Sequence, residues 1–137
     1  MIDIENKVID TISEAFDGVA TVSGTFVESP EQLPWVYVRE ISNTEYARSI
    51  TNDLRDHHAS VTFRIEYFSA AKIGAKQEVK ALAQIGDTAF QGMKFRRTSF
   101  SFIPNYDRSV VRAYADYRAV VGEPKQVGDD VIYQMYR

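Results

Sequence analysis

Hydrophobic positions recur along this chain with two periods, one helical and one strand-like. Over residues 3–17, Ile4, Val8, Ile12 and Ala15/Phe16 fall at the spacing that turns one face of a helix toward a core. Asp3 is placed to cap that helix and Gly18 to stop it. From Val19 to Val27, VATVSGTFV alternates as a strand does. ESPEQLP reads as a loop, and Pro34 opens a second strand, WVYVREI (Trp35–Ile41). Residues 42–58 are polar, lack a clean period and are long for a hairpin connection, which predicts a mobile or functional loop. Ser60–Phe68, SVTFRIEYF, alternates strictly: Val61, Phe63, Ile65 and Tyr67 face one way, Thr62, Arg64 and Glu66 the other.

A second helix is predicted over AAKIGAKQEVKALAQIGDTAFQG. Val79, Leu82/Ala83, Gly86 and Ala89/Phe90 line one face, Lys72, Lys76 and Lys80 recur on another, and Gly92 ends it. KFRRTSFSFI then reads as a strand up to Pro104, and PNYD as a turn. In Ser109–Val121 the spacing of Val110, Tyr114, Tyr117 and Val121 would suit a helix, but the Val/Tyr content and flanking turns favour a strand. After GEPKQVGDD, VIYQMY is a short terminal strand or tail. The order α-β-β-β-α-β-β has more hairpin-type neighbours than βαβ units. It predicts an α+β fold: a single domain, 1–137, with a mostly antiparallel sheet and two helices packed on one face.

Composition narrows the chemistry. The chain has 137 residues and no cysteine, so disulfides and thiolate metal sites are excluded. MIDIENKVID carries acids and is not read as a signal peptide, and no apolar run approaches the roughly 18–20 residues of a membrane span. Net charge is -3, unevenly spread: residues 1–58 hold four Lys/Arg and eleven Asp/Glu, a net of -7, and residues 59–137 hold twelve and eight, a net of +4. An acidic front and a basic back suit head-to-tail pairing of copies. A generic nucleic-acid binder would be more basic.

Catalytic signatures are weak. His57 and His58 are adjacent, so they offer no i,i+4 helical chelate and would point to opposite faces of a strand; they read as a polar lead-in to the strand that follows. SAAKIGAK lacks the glycine spacing of a phosphate loop, and no G-x-S-x-G elbow occurs. Glu40 and Glu66 lie in predicted strands, where such carboxylates are more often cross-strand partners, here of Arg39 or Arg64, than an acid/base pair. The expectation is a protein that is not an enzyme and carries no cofactor and no metal. Tyr106, Tyr114, Tyr117, Tyr133 and Tyr136 interleave with Arg108, Arg112 and Arg118, the residue types of protein contacts. They would also stack single-stranded bases, but the negative total charge favours a protein partner.

One stretch resembles a known pattern. Pro34, Val36, Val38, Glu40 and Asn43, then Val61, Thr62, Phe63, Ile65, Tyr67 and Ser69, match the P-x-V-x-V-x-E-x-x-N and V-T-F-x-I-x-Y-x-S strands of tail terminators, the small tail-completion proteins of long-tailed bacteriophages and prophages. AKIGAKQEVKALAQIGDTAFQGMKFRR and IPNYDRSVVRAYADYRAVV continue in the expected order, so the resemblance covers nearly the whole chain. It implies a structural virion protein of the tail or neck, assembled in the host cytoplasm. Copies would form a homo-oligomeric, usually hexameric, ring that caps the tail tube and joins it to the head. The implied partners are further copies of itself, the tail tube protein and the head–tail connector, with DNA only passing through the pore and no membrane. Other head–tail connectors and minor capsid proteins share this size and layout; a small enzyme and a nucleic-acid-binding module are the rival classes. The candidate subunit or docking contacts are Asn43, Glu45, Arg48, Asp53 and Arg55 in the polar loop and Arg96, Arg97, Arg112 and Arg118 in the basic strands.

Overall fold

The computed structural model describes residues 1–26, 32–46, 57–70, 73–104, 110–127, 130–132 and 135–136. The elements run α1 (Glu5–Ala15), β1 (Thr21–Ser23), β2 (Trp35–Glu45), β3 (His58–Ala70), α2 (Ala75–Gly92), β4 (Arg96–Ile103) and β5 (Val110–Gly122). Short β6 (Lys125–Val127), β7 (Asp130–Ile132) and β8 (Met135–Tyr136) follow. The main sheet has the order β1-β2-β3-β5-β4, with β8 on the far part of β5, and β6 and β7 form a separate hairpin. All pairings are antiparallel except β1 with β2. This is the expected α+β architecture, and Val110–Gly122 is strand β5, as the Val/Tyr content there predicts.

Both helices pack on one face. Val36 and Val38 of β2, Val61, Phe63, Ile65 and Tyr67 of β3, and Ala113, Ala115, Tyr117, Ala119 and Val121 of β5 are buried there with Val8, Ile12 and Phe16 from α1's side and Val79, Leu82 and Phe90 of α2. The alanines of β5 leave room for rings from above. Phe90 stacks on Tyr117 at 4.2 Å between centroids, and Phe95 meets both Phe90 and Phe63 edge-on. Each such side chain buried contributes about 1.5–3 kcal/mol of transfer free energy.

Several boundaries differ from expectation, each for a local reason. β2 runs four residues beyond Ile41, so Asn43 and Glu45 are strand residues rather than loop. A bulge between Glu40 and Ser42 shifts the register against β3, so the alternation changes phase there and the segment reads as aperiodic. The first strand is only Thr21–Ser23 and lies parallel to β2. Ile4, not Asp3, is the N-cap of α1; the Asp3 carboxylate still accepts the N–H of Glu5 at 3.1 Å. Gly18 has φ 74 and accommodates the left-handed turn after α1, whereas after α2 that position belongs to Lys94, φ 69, two residues beyond Gly92. The turn closes with Phe95 N–H donating to Phe90 O. α2 starts at Ala75, later than expected, and the connection after Gly122 contains β6.

Candidate functional site

Opposite the helices, the same strands present a second face. Alternation places Tyr37 and Arg39 of β2, Thr62, Arg64, Glu66 and Phe68 of β3, and Arg112, Tyr114, Asp116 and Arg118 of β5 on it. Register pairs Tyr37 with Glu66 and Glu66 with Tyr114, so a carboxylate on the central strand stands between two tyrosines. Arg112 Nη2 donates to Glu66 Oε1 at 2.6 Å, and the Glu66 side chain is only 4% exposed. Arg64 grips Asp116 with two bonds, Nε to Oδ1 at 2.8 Å and Nη2 to Oδ2 at 3.0 Å, which raises the affinity of its guanidinium for the proton. Three of the arginines also lie over rings: Arg64 over Tyr114 at 4.5 Å, Arg112 over Phe68 at 5.4 Å, Arg39 over Tyr37 at 5.8 Å. The result is a polar, aromatic surface whose side chains are already held in place.

The expected partners of the strand carboxylates change accordingly. Glu66 bonds Arg112, and Arg64 bonds Asp116, because register sets these neighbours. Glu40 pairs across with Phe63 and so lies on the helix side, away from Glu66. Its carboxyl is pushed up, first by burial and then by the charges of Glu5 and Asp3, against a hydrogen bond from Asn43 that lowers it. The backbone N–H of Glu40 donates to Glu5 Oε2 at 3.3 Å, and Asn43 Nδ2 donates to Ile2 O at 2.7 Å, tying the amino-terminal segment along the edge of β2. A depression of about 350 Å³ opens there, lined by Met1, Asp3, Glu5, Glu40, Ile41, Ser42 and Asn43.

The candidate contact residues therefore fall into distinct places. Asn43 and Glu45 lie on the far half of β2, with Asn43 in the depression. Arg48, Asp53 and Arg55 lie outside the described residues, as do Tyr106, Arg108 and Tyr133. Arg97 points to the helix side and donates to Asp87 at 3.1 Å, where Asp87 also accepts from the Tyr117 hydroxyl at 2.8 Å. Tyr117 is thus a core residue, and burial followed by its bond to Asp87 pushes its phenol up. Arg112 is engaged by Glu66. Arg96 and Arg118 are exposed and stand directly opposite each other across β4 and β5. Sequence reading named neither Asp116 nor Ser60, which accepts from Arg118 Nε at 2.9 Å, as part of this surface. Strict alternation in β3 did signal that Arg64 and Glu66 share the helix-free face.

His57 and His58 do not converge. His57 Nδ1 lies 2.8 Å from Glu123 Oε1, and the His58 ring packs against Tyr136 at 5.8 Å. Among the described residues no group of three or more His, Cys, Asp or Glu is arranged to hold a metal ion. No helix there is long and apolar enough to cross a membrane. No protein-family model matches the chain, and no curated protein matches it in sequence.

Proposed function

We propose that the chain is a structural subunit of a bacteriophage tail, closing with copies of itself into a ring that caps the tail tube and offers the surface joined to the head. The observation that carries this reading is the helix-free face. On it Tyr114 is partly exposed, Tyr37 and Phe68 are largely buried within it, and Arg112 and Arg64 are already oriented by Glu66 and Asp116. Aromatic and arginine side chains with few rotamers left to freeze are the chemistry of protein contact. Two further features support it: the resemblance of Pro34–Asn43 and Val61–Ser69 to tail-terminator strands, and the uneven charge along the chain. A closed ring needs two different surfaces that fit each other, and charge of opposite sign at separate places provides for that.

Two of the arginines that would make a nucleic-acid platform are neutralised: Arg64 and Arg112 are held by carboxylates, leaving less charge for phosphates. The test is sedimentation of the purified chain over a concentration series, followed by electron microscopy. A ring of tail-tube width is expected. A chain that remains monomeric at its highest soluble concentration overturns the reading.

A further inference from the structure

Ser42, Thr62, Arg118 and Arg96 form one cross-strand row over β2, β3, β5 and β4. At one end stand two arginines side by side. Like charges directly opposite each other on a sheet repel, yet Arg96 and Arg118 have no carboxylate partner among the described residues; Arg118 is bonded to Ser60 instead. At the other end lies the depression in which Asp3, Glu5 and Glu40 crowd together. Met1 lies on its rim, the Asp3 carboxylate accepts the N–H of Glu5 and the Glu5 carboxylate that of Glu40, and three acidic side chains still share the depression. The two charge clusters cannot satisfy each other within one chain. They are separated by two to three strand spacings, about 10–14 Å, and lie toward opposite faces of the sheet.

Resting on the ring reading, we propose that the Arg96/Arg118 pair of one copy docks into the Asp3/Glu5/Glu40 depression of the next, head to tail. A guanidinium fork matches a carboxylate in two-point geometry, and the paired arginines give the acidic depression two such forks. Because the arginines lie on the helix-free face and the depression toward the helix side, successive copies overlap like shingles. That contact is heterologous and propagates in one direction. Ile41, 39% exposed on the rim, supplies apolar area beside the charges. Arg97 and Arg112 take no part, since Asp87 and Glu66 already hold them.

The experiment is charge reversal in the full chain, read by sedimentation beside a thermal melt. Arg96→Glu with Arg118→Glu is expected to weaken association at least about tenfold with the melt unchanged, and Asp3→Lys with Glu5→Lys to do the same. Mixing the two variants restores assembly, because each reversed surface then meets its complement. If Glu5→Lys lowers the melt, Asp3→Lys with Glu40→Gln replaces it. Reversed variants that assemble as the parent does, or a mixture that stays apart, overturn this contact while parent rings preserve the wider reading. A parent chain that never associates overturns both.

Discussion

Gly86 of α2 sits directly over the hydroxyl of Tyr67 on β3, so close that a Cβ at this position would collide with the phenol. Tyr67 is fully buried, and its hydroxyl has no hydrogen-bond partner among the described residues. Burial accordingly pushes its phenol far up. The helix can approach the sheet here only because residue 86 lacks a side chain.

Gly86→Ala is therefore expected to destabilise the fold by about 1–3 kcal/mol, the usual cost of overpacking. Tyr67→Phe removes the unpartnered oxygen and is expected to be neutral or stabilising. Combining the two recovers part of the loss, since the Tyr67 Cζ would still lie 3.2 Å from the new Cβ. Urea unfolding of the four proteins in the cycle measures the coupling. Additive effects would contradict the contact.

Removing Arg112 and removing Arg118 should differ sharply. Arg112→Met strands a carboxylate that is only 4% exposed, and a loss of about 2–4 kcal/mol is expected. Arg118 is exposed and bonded to a serine hydroxyl, so Arg118→Met should cost under about 1 kcal/mol. Denaturant midpoints of the two variants decide this; equal losses would mean that Glu66 does not depend on Arg112.

Glu40 carries a sign that distinguishes it from most carboxylates. Its folded-state affinity for the proton lies above the ordinary value of 4.5, so the native state binds that proton more tightly than the unfolded chain does. Ionised Glu40 thus opposes folding, an effect absent below pH about 4.5 and growing as pH rises through the raised value. Glu40→Gln should gain stability over the parent near pH 7 and lose that advantage near pH 4. A larger advantage at pH 4 would reverse the assignment.

The histidine pair is expected to matter little. His57 and Glu123 are both partly exposed, at 24% and 35%, so His57→Ala should cost less than about 1 kcal/mol. Dialysis of the parent against EDTA should leave its melting temperature unchanged. A drop in that temperature would show a metal that the histidines or other residues hold.

Local pattern determined the type and order of the main elements of this protein. Ile4, Val8 and Ile12 announce α1, the alternation of Val61 through Tyr67 announces β3, and Val79, Leu82, Gly86 and Phe90 mark the face of α2 that the core buries. These signals survive because burial acts on each residue separately, and periodicity records it directly. The candidate surface was legible only in outline: Arg and Tyr interleave along β5, but alternation sends Tyr117 into the core and Tyr114 to the open face. Which arginine meets which carboxylate was decided by strand register, a relation between residues as far apart as 46 and 52 positions. The bulge at Glu40/Ser42 was likewise a tertiary outcome, because the extra residue is defined only against its partner strand. So were the opposed Arg96 and Arg118 and the carboxylates gathered around Glu40: in sequence they are scattered charges, and only the pairing of β4 with β5 and the packing of the amino-terminal segment against β2 bring like charges together.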